Sequence, residues 1–387
     1  MAAVRTGVKV GTDATFATLG PKALRAARAA FKSLGRQGQF LLAHEVVETR
    51  EHELRLAYPD LVGIGFGFKS KRVESGRATR LIRTPCVVFE VKRKRQFTRV
   101  VEMGRKLPAF LYAYVGEAGS RRLCALPTDV KESAAYGKPA PHGDELDSDL
   151  PFGIVVRGLK PDVDGVGGTI ACAVTRPSDP GQLYALSCRH VLGRSLEDDP
   201  DVASGCRVNV ASMSGPFIGR TEKIRGTLLS TPAPSFDAQL LRVSDKDALR
   251  MALVGLSFDP NDPVLSGPEK APNGFWVATP RSDANNRRLR IWITLIDWPK
   301  LRSMPYKFRS GELEIAHTMV MHGEARDERL KPGDSGSPAV LVKAGGMLIG
   351  MYLGGDGFHA YFIPGWQLLF PGNYGLNAGE AWRVANI

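Results

Sequence analysis

The segment Lys331–Pro338 reads Lys-Pro-Gly-Asp-Ser-Gly-Ser-Pro and is followed by the apolar run 339–342. A serine hydroxyl becomes a useful nucleophile only when a base removes its proton, and the oxyanion formed on the substrate needs fixed donors. Glycines around Ser335 allow the backbone to turn so that the amides of Gly333 and Ser335 point toward one spot. The segment therefore predicts a nucleophilic serine; the alternative is a polar turn between two strands, where Gly, Asp and Ser are common.

A serine nucleophile needs a base, and the two meet in space rather than in sequence. Among the histidines, His190 alone closes a strand-like apolar run, Leu183 to His190, and continues into Val191 and Leu192. We therefore predict that His190 is the base, although a lone histidine more often packs in a core or lies on a surface. The chain's histidines are residues 44, 52, 142, 190, 317, 322 and 359.

The third member of such a site is a carboxylate that holds the imidazole in one tautomer and stabilises its charged form. Asp237 stands at the start of a strand-like stretch, Asp237 to Val243, and is the candidate for this role. The acidic residues Asp198, Asp199 and Asp201 follow His190 more closely. They are more typical of a solvated loop, because a buried carboxylate tolerates few neighbours of like charge.

These three segments together resemble those of bacterial trypsin-like serine peptidases. The matching pieces are Gly-Asp-Ser-Gly around Ser335, the His-Val-Leu that begins at His190, the Asp-Ala-Gln-Leu that begins at Asp237, and the chain order His, Asp, Ser. The resemblance covers residues from about 165 to 370. It implies the chymotrypsin fold: two six-stranded antiparallel barrels with the triad between them, His190 and Asp237 in the first barrel and Ser335 in the second. It also implies a serine endopeptidase that cleaves protein or peptide substrates and needs no metal or cofactor.

The same resemblance suggests where a substrate binds. Residues 348–355 and 358–364 match the strands beside the family's substrate cleft, where an extended peptide adds to a sheet edge, and Gly354 lies in that stretch. Arg329 occupies the position six residues before Ser335 that sets charge preference in trypsin. An arginine there opposes Lys and Arg side chains and favours acidic ones.

Two departures from the family pattern matter for mechanism. The chain has no Ile-Val-Gly-Gly-like segment, so activation by a single cut is not implied. Family members often carry a serine that helps to hold the aspartate, whereas Met351, Tyr352 and Leu353 occupy that neighbourhood here. The sequence thus leaves open what supports Asp237.

The amino-terminal third has a different pattern. Its apolar spacing predicts two helices and then several strands, and these resemble the small α/β domain that precedes the peptidase in narrow-leaf-type proteases. Gly63, Gly65 and Gly67 are predicted to permit close strand packing rather than to form a phosphate loop, since no helix start follows them. The predicted helices are 22–33 and 41–58, and the predicted strands are 61–68, 81–91 and 110–115.

The predicted fold class is therefore mainly β: a chymotrypsin-like double antiparallel β-barrel preceded by a small α/β domain. We expect an amino-terminal docking or regulatory domain over 1–137, a linker rich in Pro, Gly and acidic residues over 138–150, and a peptidase domain over 151–387. Within the peptidase domain, the first barrel is expected at about 165–250 and the second at about 262–370.

Positive charge is concentrated before the expected linker. Residues 1–150 hold 26 Lys and Arg against 16 Asp and Glu, and residues 69–106 alone hold 13 against 3. This basic stretch favours a solvated strand edge or a face for a regulatory protein over a nucleic-acid site, because no nucleic-acid motif accompanies it. The alternative function is a non-catalytic binding module on a peptidase scaffold that docks protein or nucleic acid through this face.

Cysteine usage and hydropathy bear on location. The five cysteines lack metal-type spacing, and Cys172 and Cys188 are expected to be reduced even though a hairpin would bring them near each other. No apolar run approaches the length of a membrane span. The amino terminus lacks the pattern of a secretory signal, so a cytoplasmic location is expected.

Overall fold

The computed structural model describes residues 19–75, 78–91, 107–116, 120–132, 150–157, 166–192, 205–229, 234–308, 311–342, 346–355, 358–377 and 380–387. The expected linker (all but Leu150), most of the basic stretch beyond residue 91 and the acidic residues 198, 199 and 201 lie outside these ranges. The chain divides into two compact units. The first comprises 1–134, 268–270 and 296–300, and the second comprises the remainder.

The first unit contains two helices and four strands of its own. The helices are α1 (Pro21–Ser33) and α2 (Gly35–Ala57). The strands are β1 (Leu61–Ser75), β2 (Ala78–Val91), β3 (Phe110–Val115) and β4 (Arg122–Glu132). These elements confirm the predicted helices and strands, but α2 begins six residues before Leu41. Gly35 and Gly38 disfavour a helix locally, and burial of an apolar face that includes Phe40 and Val46 outweighs that preference.

The second unit is built mainly from strands. They are β5 (Ile154–Arg157), β6 (Val166–Gly168), β7 (Cys172–Arg176), β8 (Asp179–Ser187), β9 (Arg207–Val210), β10 (Phe217–Arg225), β11 (Pro234–Ser235), β12 (Gln239–Val243), β13 (Gly274–Ser282), β14 (Arg288–Phe308), β15 (Gly311–Met319), β16 (Met321–Ala325), β17 (Pro338–Leu341), β18 (Met347–Gly355), β19 (His359–Pro364) and β20 (Arg383–Ala385). Short helices are α3 (Arg189–Leu192), α4 (Lys246–Ala252) and α5 (Gly365–Leu368), with a 3₁₀ turn at Pro371–Tyr374. The 3₁₀ turn at Pro268–Lys270 belongs to the first unit.

The glycines of β1 explain the close packing in the first unit. The sheet order there is β3–β4–β2–β1, and β1 also pairs antiparallel with residues 297–300 of β14. A Cβ on Gly65 would overlap the carbonyl oxygen of Trp298, and one on Gly67 would overlap Asp297. These glycines therefore allow the two backbones to approach, which confirms the strand-packing interpretation.

Six strands of the second unit form a closed antiparallel barrel. In order they are β13, β17, β18, β19, β16 and β14, and a further pairing between β13 and β14 closes the ring. A tight turn joins β13 to β14: Asp283 accepts the backbone N–H groups of Asn285 and Arg287, and Asn286 adopts a left-handed backbone with φ of 55°. Asn tolerates that conformation better than most residues, so the local sequence explains this hairpin.

The other sheet of the second unit has eight strands in the order β20–β7–β8–β12–β10–β9–β5–β6, with every neighbouring pair antiparallel. The pairing path does not close within the described residues. One continuous apolar cluster joins this sheet to the barrel and includes Leu186, Leu240, Met351 and Tyr361. The two sheets therefore share a core, and the loops at their junction are held in fixed positions.

The predicted fold class is confirmed: the chain is mainly β, with a chymotrypsin-like arrangement of antiparallel sheets after a small α/β unit. Within the described ranges, no helix is both long and apolar enough to cross a membrane.

Candidate active site

The structure brings His190 and Asp237 into direct contact. His190 lies in α3, immediately after β8, and Asp237 lies between β11 and β12. The His190 backbone N–H donates to Oδ1 of Asp237 at 2.9 Å, and ring Nδ1 hydrogen-bonds Oδ2. An ionised carboxylate only accepts, so Nδ1 carries the ring proton of the neutral imidazole. The basic lone pair is then on Nε2, as a general base requires.

Tyr306 gives the fully buried Asp237 a third donor. Its hydroxyl donates to Oδ2 at 2.8 Å, and its ring packs edge-on against the His190 ring with centroids 5.5 Å apart. Burial opposes ionisation of Asp237, but the attraction of His190 and its hydrogen bonds outweigh burial and lower the pKa of Asp237 below its usual range. Burial, then the charge of Asp237, raises the pKa of Tyr306 well above its ordinary value, so the tyrosine keeps its proton.

Tyr306 was not predicted from the sequence. The family pattern placed a supporting serine near residues 351–353, on the strand beside the cleft. Tyr306 instead comes from β14 and stands 69 residues from Asp237 within Met304-Pro305-Tyr306-Lys307, which matches no motif.

The Ser335 loop is held between residue Thr169 and strand β18. The backbone N–H of Thr169 donates to the Ser335 carbonyl at 2.8 Å, and the Gly336 N–H donates to the Tyr352 carbonyl at 2.9 Å. The Ser335 hydroxyl donates to the Leu353 carbonyl at 3.1 Å. From the His190 segment, the Cys188 thiol donates to the same Tyr352 carbonyl at 3.3 Å. The segments that carry Ser335 and His190 thus contact adjacent residues of β18.

Two glycines shape the loop as an oxyanion site would require. Gly333 and Gly336 have φ of 89° and 88°, in the region that favours glycine. Within the part of the chain that the structure describes, the N–H groups of Gly333 and Ser335 donate to no protein acceptor. Contact of these two amides with a substrate oxyanion stays a prediction.

An internal cation holds Asp334, the residue just before Ser335. Arg281 donates to both carboxylate oxygens of the buried Asp334, at 3.4 and 3.1 Å, and to Glu328 at 2.7 Å. Its guanidinium also donates to the carbonyl of Arg329 at 3.3 Å. Burial raises the pKa of Asp334 to about 6 even though Arg281 opposes that shift. Arg281 stands at the end of β13 and was not anticipated from the sequence.

The two predicted substrate-binding residues flank this loop. Gly354 is buried in β18, pairs with Tyr361 of β19, and follows Leu353, whose carbonyl accepts the Ser335 hydroxyl. Arg329 is exposed, and its guanidinium lies 4.0 Å from the centroid of the Phe358 ring. Contact of either residue with a substrate stays a prediction.

One group in this region could in principle hold a metal ion. The donor atoms of Cys188, His190 and Asp237 lie within 4.8 Å of one another. Metal binding needs a thiolate, but burial and then the charge of Asp237 raise the pKa of Cys188 well above its ordinary value. The thiol donates to the Tyr352 carbonyl and Asp237 accepts three donors, so this set suits orientation of His190 better than metal coordination. The five cysteines are free and buried.

Gly336→Ala should destabilise the protein by roughly 2 kcal/mol or more, because strained backbone and overpacking each cost about that much. The new Cβ would overlap the Thr169 carbonyl oxygen and the Ser187 hydroxyl at a φ of 88°. Urea unfolding measures the effect. Gly181→Ala is the matched control, because a Cβ added at Gly181 would meet nothing within 4 Å. Equal stability of the two variants would contradict the packing described for the Ser335 loop.

Comparisons with known proteins add little to this geometry. No protein-family model and no curated protein matches the chain. Among solved structures, the chain is similar to the inactive-mutant NS6 protease of murine norovirus, crystallised with a C-terminal extension from NS7. The identity is 13%, the match covers 47% of this chain and 83% of the viral chain, and the TM-score is 0.24. A TM-score this low does not establish a shared fold, so the class rests on the chain's own topology: a mainly β protein with a closed, chymotrypsin-like six-stranded barrel.

Proposed function

We propose that this protein is a serine endopeptidase with His190, Asp237 and Ser335 as its triad. The observation that carries the proposal is the buried Asp237–His190 pair, which leaves the basic lone pair on Nε2. The neighbouring Cys188 and the glycine-shaped Ser335 loop both bond the carbonyl of Tyr352. The alternative, a polar turn at Ser335 without chemistry, does not account for the fully buried Asp237 carboxylate and its three donors.

The proposed reaction follows from these positions. Ser335 Oγ attacks the scissile carbonyl while His190 Nε2 takes its proton, and Asp237 stabilises the resulting imidazolium. The amides of Gly333 and Ser335 donate to the oxyanion. When the tetrahedral intermediate collapses, His190 gives the proton to the leaving amine. A water molecule, deprotonated by His190, then attacks the acyl ester, and His190 returns that proton to Ser335 Oγ as the ester bond breaks and the acid product leaves.

The resting hydrogen bond of Ser335 has a consequence for this cycle. The hydroxyl donates to the Leu353 carbonyl at 3.1 Å, so its proton must turn from that carbonyl toward His190 before attack. Such rotation exchanges one ordinary hydrogen bond for another. Binding of a peptide at β18 beside Leu353 would favour the exchange by competing for that carbonyl.

The proposed substrate is an extended peptide. The ladder between β17 and β18 ends at Met351, and the residues that follow, Leu353 and Gly354, form the predicted pairing edge. Arg329 is proposed to favour an acidic side chain near the cut. Gating by a protein partner at the amino-terminal unit, and a cytoplasmic location, are further parts of this proposal.

A fluorophosphonate probe tests the proposal because it reacts covalently with an activated serine. The full-length chain should be labelled, and Ser335→Ala should not. Ser337→Ala is the matched control, since Ser337 is a buried serine two residues away whose hydroxyl bonds Thr169. Labelling that survives Ser335→Ala would refute the assignment. An unreactive wild-type protein that binds nucleic acid or protein with steep salt dependence would favour the non-catalytic binding module.

A further inference from the structure

Behind the catalytic aspartate lies a second histidine. Nε2 of His317, on β15, is 2.8 Å from the Tyr306 hydroxyl, which in turn is 2.8 Å from Oδ2 of Asp237. The three side chains and His190 form one buried row, His317–Tyr306–Asp237–His190. Nothing in the proposed reaction cycle uses the first two.

The direction of each hydrogen bond in the row follows from counting protons. The carboxylate of Asp237 can only accept, so Tyr306 must donate its single hydroxyl proton to Oδ2. Because Tyr306 has no second proton, His317 must be the donor in the contact between these two side chains. Nε2 of His317 therefore carries a proton and donates to the tyrosine oxygen. Burial lowers the pKa of His317 to about 4, so near neutral pH the ring is uncharged and its proton is on Nε2.

The fold holds His317 at this position through its backbone. Strand β15 pairs in parallel with the short strand β11, and the register places His317 opposite Ser235. Asp237 follows Ser235 by two residues. The hairpin of β14 and β15 thus presents Tyr306 from one strand and His317 from the other to the loop that carries the aspartate.

We propose that Tyr306 and His317 are positioning residues for the peptidase reaction, fixing the Asp237 carboxylate so that it holds His190 in its basic tautomer. This inference rests on the proposed function. Tyr306 donates to the oxygen that also accepts the His190 ring proton, and His317 prevents the tyrosine hydroxyl from turning away. The pair replaces the supporting serine that residues 351–353 lack.

Loss of the tyrosine hydroxyl has a predictable effect on pH dependence. A donor on Oδ2 withdraws charge from the carboxylate, and its removal strengthens the attraction of Asp237 for an imidazolium. The acid limb of activity should then move to higher pH. The titratable groups of this row are His190, Asp237, Tyr306 and His317, and Cys188 lies beside it. Burial keeps Cys188 and Tyr306 protonated throughout the range of interest.

The experiment measures the rate of fluorophosphonate labelling against pH in full-length variants. Tyr306→Phe should slow labelling on the order of tenfold, the usual cost of losing a hydrogen bond to a charged group, and should move the acid limb upward. His317→Leu should behave similarly, whereas His317→Gln keeps an N–H donor and should restore most of the rate. Tyr184→Phe is the control, because it removes another buried tyrosine's bond to a carboxylate, that of Asp179. If Tyr306→Phe behaves like Tyr184→Phe, the proposal is overturned.

A second readout separates this proposal from the peptidase assignment. In the ¹⁵N-histidine-labelled full-length chain, NMR should show His317 as the neutral Nε2–H tautomer at pH 7. The His190 Nδ1–H resonance should shift and exchange faster in Tyr306→Phe than in Tyr184→Phe. This result would uphold the positioning role even if the probe never labelled Ser335. Proton placement on Nδ1 of His317, or a His190 resonance indifferent to Tyr306→Phe, would overturn it.

Discussion

Asp237→Asn should slow labelling of Ser335 by about 10⁴-fold, the loss expected when the aspartate of a triad becomes an amide. The fully buried Asp237 accepts the Nδ1–H of His190. An asparagine can place its NH₂ group there instead, which forces the ring proton onto Nε2 and removes the base. The second-order rate constant for fluorophosphonate labelling near neutral pH is the measurement.

A surface aspartate provides the control for this substitution. Asp179→Asn also removes a carboxylate from the second unit, but from a half-exposed position at the start of β8. It should leave the labelling rate within about twofold of wild type, in line with the small effects of surface changes. A rate in Asp237→Asn within about tenfold of wild type would show that His190 acts without this partner.

Arg281→Met should lower the free energy of unfolding by about 3–5 kcal/mol at mildly alkaline pH, because it leaves the buried Asp334 carboxylate without its cation. Urea unfolding followed by tryptophan fluorescence measures the loss. The double variant Arg281→Met/Asp334→Asn removes both charges and should regain part of the stability. A loss below about 1 kcal/mol would mean that Asp334 does not depend on Arg281.

The same variant has a pH signature. Burial raises the pKa of Asp334 to about 6 in the folded chain, against an ordinary value of 3.8. A carboxyl group raised in this way contributes stability that is fully present below pH 3.8 and is lost as the pH rises through about 6. Removal of Arg281 takes away the charge that opposes this loss. The decline in stability should therefore be larger in total and should continue to higher pH in Arg281→Met than in wild type.

Much of the local structure could be read from the sequence because it depends on neighbouring residues. The glycines at 333 and 336 adopt the positive φ values that the Ser335 turn was expected to need. The apolar run before His190 forms β8, and the glycines of β1 pack against another strand as predicted. These features follow from backbone geometry and from the two-residue and 3.6-residue periods of strands and helices.

Only the tertiary structure decided what surrounds the proposed catalytic groups. Tyr306 and His317 reach Asp237 from β14 and β15, and Arg281 reaches Asp334 across 53 residues. No local pattern marks these residues, because their roles arise from strand pairing between distant segments. The same holds for residues 296–300 of β14, which belong to the first compact unit although no shift in composition marks them. Burial next to a charge, rather than residue type, sets the contacts and proton positions of these side chains, and burial is set by the topology of the whole chain.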